Sequence, residues 1–407
     1  MRRLRERLRE LLPASLRERY HTYALRRDFG IDRRSGSRRS GSIDRRLARG
    51  LNLIGYFASP TGVGQSARAL AQAAELAGVP VARIEASSEE RRDGEARAPF
   101  DVNLYHVNAD GADGVVEELG PRLHGGRANV AYWYWESETF PSRWRDRFDY
   151  FDEIWVATDF CRRAIASVSP LPVVVVPPAV AVAEGAPEPA PPHRPEEDFT
   201  FLTIADATSV PERKNPLGVV RAFTAAFTPS DRIALRVQLR NARQIPGLLE
   251  ELAAAGRGAR VCVFDEPLSR LEIVQLLASC DAYVSLHRSE GFGFPIAEAM
   301  ALGKPVVATD YSGCADYLDQ ATGFPVRWTY RVLTDTIRDY PAGSRWAEPD
   351  LQDAAAQLRR VVSDPEEGRR RGEAARRRIA ELYAPAVAGG RIAARLAMLR
   401  ERLKASA

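Results

Sequence analysis

With 407 residues, of which 28% are charged and 45% apolar, the chain is too long for one hydrophobic core and suits two domains. A net charge of +4, with no apolar run of 18 or more residues, argues against a membrane-spanning helix. Cys161, Cys262, Cys280 and Cys314 lie far apart with no C-x-x-C, which reads as reduced thiols of a cytosolic chain, not a disulfide frame or zinc site. Met1 opens onto arginines with no apolar segment behind them, so no secretory signal is read.

The modest net charge conceals an asymmetry. Residues 1–50 hold sixteen Arg against six Asp and Glu, about +10, which leaves the remainder at about −6. Leu4, Leu8, Leu11 and Leu12 recur at helical spacing with Arg2, Arg3, Arg5, Arg7 and Arg9 between them. Such a helix can lie on an anionic inner-leaflet surface with its arginines at the headgroups; a merely solvated arm is the alternative. The stretch RRSGSRRSGS (33–42) is low in complexity and expected to be disordered. A nucleic-acid partner is not expected, because no stacking aromatics or recognition fold stand behind the arm.

From Leu51 onward short apolar runs alternate with amphipathic stretches, the pattern of a parallel sheet covered by helices. Strands are expected at 51–58, 79–86, 101–107, 129–134, 153–157 and 173–176. The proline-rich run from Pro177 to Pro195 breaks the pattern and reads as a linker. The pattern restarts at 199–205, 233–239, 260–264, 282–286, 306–309 and 323–326. The expected division is an arm at 1–50, a first α/β domain at 51–180, a linker at 181–198 and a second α/β domain at 199–385. A last helix, 386–407, is suited to pack back on the first domain. Two such domains form a cleft, where ligands bind.

Chemistry-bearing residues cluster at the expected strand ends. Gly62 and Gly64 follow the first strand and open a helix, where glycine lets the backbone approach a ligand and the helix start favours an anion or sugar oxygen. His106 and Asn108 end the strand 101–107; a lone histidine in such a place is as readily a satisfied loop residue. Ala131-Tyr-Trp-Tyr-Trp-Glu136 joins aromatics, which stack on sugar rings, to a carboxylate that binds hydroxyls, which makes Trp135 and Glu136, with Asn108, acceptor candidates; core aromatics and a helix cap are the plain alternative. Pro211-Glu-Arg213-Lys214-Asn215-Pro216 sets two cations at a strand end, with Asn215 placed to cap the next helix. They can neutralise a departing diphosphate.

The most specific run is 287–301, HRSEGFGFPIAEAMA. A strand ends near Leu286, a glycine loop follows, and Pro295 sits where a helix begins. The amides of Gly291, Phe292, Gly293 and Phe294 and the helix dipole can hold a phosphate. Glu298, one turn into the helix, can accept from two neighbouring hydroxyls, as a ribose offers, and Glu290 can reach another part of the same ligand. A phosphate between two such carboxylates describes a nucleotide-sugar. His287 reads as packing beneath the loop, and Arg288 as ordering it or touching phosphate.

EGFGFPIAE followed by AMALGKPVVATDYSG closely resembles the E-x7-E signature of the retaining family 4 (group 1) glycosyltransferases, over about residues 51–385. The resemblance implies the GT-B fold: two Rossmann-like parallel-sheet domains facing across a cleft. It implies that Glu298 binds the donor ribose, Glu290 faces the transferred sugar, and the 291–294 amides hold sugar hydroxyls and the distal phosphate. It places Gly62, Gly64 and Gly313 around the donor, His106 near the donor sugar, and Lys214 and Arg213 on the diphosphate. One departure stands out, because relatives carry a further arginine upstream where this chain has Ala205-Asp206-Ala207. The implied activity is transfer of a hexose, with mannose a frequent donor sugar in similar surface-polysaccharide enzymes, to a saccharide or lipid-linked acceptor. No metal or other cofactor is expected. A nucleotide-sugar epimerase or a non-catalytic membrane-tethered scaffold is the alternative.

Overall fold

The computed structural model describes residues 28–29, 43–90, 98–181 and 198–405. The leucine and arginine repeat of the arm, the low-complexity stretch and most of the proline-rich linker lie outside them.

The first lobe is a six-stranded parallel sheet in the order β2-β1-β3-β4-β5-β6, made of β1 (Ala48–Gly55), β2 (Val81–Glu85), β3 (Phe100–His106), β4 (Ala128–Trp133), β5 (Glu153–Val156) and β6 (Val173–Val175). Helices α1 (Gly62–Leu76), α2 (Ala109–Leu119), α3 (Pro121–His124) and α4 (Asp159–Ala166) connect them, with a 3-10 stretch at Ser142–Tyr150. β1, β3 and β4 are buried nearly throughout because helices cover both faces, and their sequences are correspondingly apolar. Their register is pinned by a ladder of buried amides: Asn52 donates to Asn103 at 2.8 Å, and Asn103 donates to Asn129 at 2.8 Å. A one-residue slip of any of these strands would break that ladder and turn its apolar face outward.

The second lobe repeats the scheme with β7 (Phe199–Asp206), β8 (Ile233–Arg240), β9 (Val261–Asp265), β10 (Ala282–Ser285), β11 (Val306–Thr309) and β12 (Phe324–Val326), in the order β12-β11-β10-β7-β8-β9. Its helices are α5 (Pro211–Lys214), α6 (Pro216–Ala226), α7 (Leu248–Ala255), α8 (Arg270–Ser279), α9 (Phe294–Ala301), α10 (Leu351–Ser363) and α11 (Pro365–Tyr383). An antiparallel hairpin, β13 (Trp328–Val332) and β14 (Arg345–Pro349), stands apart from both sheets and was not anticipated from the sequence.

The last helix, α12 (Pro385–Ala405), crosses to the first lobe and packs on α1. Leu396 and Leu399 on α12 and Leu70 on α1 are fully buried in a cluster that continues through Tyr383 to Phe292 and Ile296 of the second lobe. Each such side chain contributes about 1.5–3 kcal/mol by leaving water. The lobes therefore share one apolar core at the hinge side.

In each sheet the order reverses next to its first strand, between β1 and β3 in the first lobe and between β7 and β10 in the second. Connections leave such a switch point in opposite directions, so the strands' C-terminal ends open a crevice that no connection fills. The glycines after β1, His106 and Asn108 at β3, the cation pair after β7 and the 287–301 run after β10 occupy the ends of these four strands, with Trp135 and Glu136 after the neighbouring β4 and Gly313 after the neighbouring β11.

Candidate active site

At the second lobe's switch point the backbone is bent twice. Val210 and Asn215 both take left-handed conformations (φ 59° and 54°) and bracket the single turn α5. Asn215 accepts from the Gly218 amide at 3.1 Å, capping α6, and donates to the Leu286 carbonyl at 2.8 Å, which ties the loop after β7 to the loop after β10. The tie brings both cations to Glu290. Lys214 Nζ lies 2.6 Å from Oε1, and Arg213 Nη1 lies 3.3 Å from Oε2.

The two cations have different surroundings. Arg213 is 2% exposed and also donates to the Ser289 carbonyl at 2.7 Å and the Ser209 hydroxyl at 3.0 Å. Burial works against its charge, but Tyr340, Glu136 and Glu290 outweigh it and keep the guanidinium protonated. The sequence reading set Arg213 on the diphosphate; its Nη1 and Nη2 donors are instead spent on holding Glu290 and the loop, so it is a positioning residue. Lys214 is more open and is the cation left for an incoming anion. Burial pushes the Glu290 carboxyl up, yet Lys214 and Arg213 more than offset this and hold it at about 2. Asp206, where the resemblance led one to look for a cation, accepts from the Thr208 amide and hydroxyl at 2.9 and 2.6 Å and from Asn241 at 3.1 Å. It orders the strand end.

Beyond Glu290 the chain turns at Gly293 (φ 85°) into α9, with Pro295 in its first turn. The first amides of the helix have no intrahelical acceptor and face the loop. Gly313 supports this loop from below: its amide donates to the Glu290 carbonyl at 2.9 Å, and a Cβ there would fall 2.4 Å from the Gly291 carbonyl oxygen. Only glycine allows that approach. The Phe292 ring is buried against Tyr317 and Tyr383, so the residue offers a ligand its backbone alone. Beneath the loop, His287 is fully buried, with Nε2 3.2 Å from Cys314 Sγ, and burial lowers its pKa to about 4. Arg288 orders the loop through a bidentate pair with Glu348 at 2.7 and 2.8 Å.

Glu298 is 4% exposed and pairs with Arg270 at 2.7 Å, a partner not identified from the sequence. Burial pushes its carboxyl up against the pull of that arginine. The signal was present, since Ser269 and Glu272 form a capping box that makes Arg270 the first residue of α8. Glu298→Ala is expected to weaken nucleotide-sugar binding by about 1.5–3 kcal/mol, the range for hydrogen bonds to a charged group. Unchanged affinity by calorimetry would remove Glu298 from the donor site.

In the first lobe, Thr61 caps α1 by accepting from the Gly64 amide. A Cβ on Gly64 would meet the Ser59 carbonyl oxygen at 2.3 Å, so this glycine serves the turn itself, whereas Gly62 has open space around it. His106 is fully buried, stacked on Tyr132 (4.8 Å, 15°), with Nε2 2.9 Å from the Ser66 hydroxyl. Burial holds its pKa near 4, so it is neutral at physiological pH. It underlies the cleft and does not open onto it. Trp135 is also buried: its ring stacks on Tyr340 (5.1 Å, 21°) and Nε1 donates to the Thr139 carbonyl, which leaves that face unavailable for a sugar.

Asn108 and Glu136 do reach open space. They line a cavity of about 200 Å³ between the lobes, together with Asp110, Arg213, Asp339 and Tyr340. Glu136 accepts from the Tyr340 hydroxyl at 2.9 Å, and its other oxygen is 4.0 Å from Arg213. Lys214, Glu290, Arg213, Glu136 and Tyr340 thus form one continuous network from the donor loop to this cavity. Among the described residues no group of three or more His, Cys, Asp or Glu is arranged to hold a metal ion.

Residues 248–378 match the family model described as glycosyl transferases group 1, and that span contains Arg270, Glu290, the 291–294 loop, Glu298 and Gly313. The second lobe carries a group 1 glycosyltransferase domain. Solved glycosyltransferase structures extend the likeness to both lobes. A glycosyltransferase from Rickettsia africae superposes with a TM-score of 0.64 at 14% identity, over 86% of this chain and 98% of that one. The Anabaena protein HepE with UDP-glucose gives 0.61 at 14% identity over 86% and 100%. A sucrose-phosphate synthase of Thermosynechococcus elongatus gives 0.60 at 15% over 88% and 100%. The fold of this glycosyltransferase-domain protein is therefore GT-B. A curated Campylobacter jejuni relative, an N,N'-diacetylbacillosaminyl-diphospho-undecaprenol α-1,3-N-acetylgalactosaminyltransferase, is 40% identical over 53 residues, which is 13% of this chain and 14% of that protein.

Proposed function

We propose that the protein is a retaining glycosyltransferase that moves a hexosyl group from a nucleoside-diphosphate sugar to a saccharide or lipid-linked saccharide. The observation that carries this reading is the network from Lys214 through Glu290 and Arg213 to Glu136, which joins the 291–294 glycine loop to a carboxylate-lined cavity across the cleft. Lys214 and the start of α9 meet the diphosphate, Glu298 takes the ribose, and Glu290 takes hydroxyls of the transferred sugar. The anomeric carbon–oxygen bond to the diphosphate breaks as the acceptor oxygen bonds to the same face of that carbon. The acceptor's proton passes to the departing phosphate oxygen, so no enzyme nucleophile is required. The chain's own positive charge stabilises the leaving group, which makes a divalent metal dispensable.

The family resemblance favours a hexose, with GDP-mannose among the donors to try; the relatives' names add UDP and a diphospho-undecaprenol acceptor of one related enzyme. The deciding experiment is thermal stabilisation of the protein by a panel of GDP-, UDP- and dTDP-sugars, with and without chelator, followed by transfer with the best donor. One donor class should stabilise in both conditions. Stabilisation and transfer that vanish with chelator and return only with magnesium or manganese would sink the metal-free mechanism, and donor consumption with no second substrate would point to an epimerase.

Among the described residues no helix is long and apolar enough to cross a membrane. We assign the basic arm, most of which lies outside those residues, to an anionic membrane surface at about 1 kcal/mol per arginine close to it. Protein lacking residues 1–42 should keep donor affinity and lose sedimentation with phosphatidylserine vesicles. Vesicle binding that survives the deletion would move the contact elsewhere.

A further inference from the structure

The hairpin β13–β14 and its loop, residues 327–349, leave the second lobe after β12 and reach the first. Tyr330 donates to Glu138 at 2.9 Å and Arg345 pairs with the same carboxylate at 2.6 Å. Farther out, Tyr340 stacks on Trp135 and donates to Glu136, and Asp339 pairs with Arg143. The loop's conformation is specified at Arg338, a non-glycine residue in the left-handed region (φ 50°) whose guanidinium donates to the Thr208 carbonyl at 2.6 Å. These contacts set Arg338, Asp339 and Tyr340 as one wall of the cavity whose other walls are Asn108, Asp110 and Glu136 from the first lobe and Arg213 from the second.

The composition of the cavity selects its occupant. Its volume of about 200 Å³ has the scale of one pyranose ring. Asp110, Glu136 and Asp339 can accept hydrogen bonds from hydroxyls, and these three carboxylates outnumber Arg213 and Arg338 in the lining, which disfavours an anion. Arg213 Nε is buried and has no hydrogen-bond partner among the described residues. The stacked faces of Trp135 and Tyr340 cover each other, so on that wall recognition rests on polar groups.

Resting on the proposed transferase reading, we infer that the 327–349 hairpin and its loop are the acceptor-recognition element. Arg338, Asp339 and Tyr340 complete a one-ring site that accepts an uncharged hexose unit of the acceptor and sets which saccharide is glycosylated. Glu136, bridging Tyr340 and Arg213, holds that ring beside the donor sugar on Glu290.

The test uses the full chain loaded with its best nucleoside diphosphate. Methyl glycosides of glucose, galactose, mannose, N-acetylgalactosamine and glucuronic acid are titrated while intrinsic tryptophan fluorescence is read, since Trp144 also borders the cavity. At least one neutral glycoside should bind and the glucuronide should bind at least tenfold more weakly. Asp339→Asn and Tyr340→Phe should each weaken the neutral glycoside tenfold or more, with nucleotide affinity within twofold of the parent protein. Asp339 is half-exposed, so its variant tests the site without disturbing the core. Preference for the glucuronide, or glycoside binding unchanged in both variants with nucleotide binding intact, overturns this inference alone. Loss of nucleotide binding in both variants reassigns the cavity to the donor sugar and overturns it too. Failure of the parent protein to bind any nucleotide-sugar overturns the transferase reading, and this inference with it.

Discussion

Lys214→Ala is expected to lower turnover by about 10²–10³-fold while shifting donor affinity far less. In the ground state the ammonium is 2.6 Å from Glu290 and shares its field with that carboxylate. As the glycosidic bond breaks, negative charge collects on the departing diphosphate, and the lysine interacts more strongly there than with the intact donor. An interaction that grows toward the transition state appears in kcat. Arg213 cannot substitute, because it is buried and its Nη1 and Nη2 donors are committed to Ser289, Ser209 and Glu290. Steady-state kinetics with saturating acceptor would separate the cases. A raised KM at unchanged kcat would make Lys214 an ordinary binding group, and unchanged kinetics would end its place in the mechanism.

Glu153→Ala is expected to cost about 3 kcal/mol of stability, read as a fall in the denaturant midpoint at pH 7. Glu153 is fully buried at the start of β5 and accepts from Trp155 Nε1 at 2.8 Å, from Arg395 at 2.5 and 2.6 Å and from Arg402 at 2.9 Å. Removing it leaves two arginines of α12 facing a low-dielectric sheet edge, so the helix should loosen from the first lobe. The exposed pair Arg83–Glu75, at 2.7 Å, serves as the control, because Arg83→Ala should change stability by less than about 1 kcal/mol. Equal effects of the two substitutions would show that α12 is held by its apolar face alone.

The twelve strands of the two sheets were legible as runs of apolar residues bounded by turn formers, most clearly in central strands such as β3 and β4, which are buried on both faces; edge strands such as β2 and β9 are only partly buried. The glycine loop at 291–294 was equally legible, since Pro295, the left-handed Gly293 and the helix start obey local rules. The hairpin at 328–349 escaped although β13 runs Trp-Thr-Tyr-Arg-Val, an alternation of apolar and polar residues: the run is short, its partner lies beyond a long loop, and the folded strand is exposed over most of its length.

Other decisions were made only in three dimensions. Arg213 and Lys214 are adjacent and chemically alike, yet two left-handed turns at Val210 and Asn215 bury one and leave the other open. His106 has the position of a cleft residue, and the packing of Tyr132 and Ser66 removes it from the cleft. Glu136 and Tyr340 stand 204 residues apart and Glu298 and Arg270 stand 28 apart, so no local pattern announces either pair. Residue type and spacing determine which chemistry a segment can offer. Which of those groups meet a ligand depends on burial and on partners from distant elements, and those are set by how the two lobes and the hairpin pack.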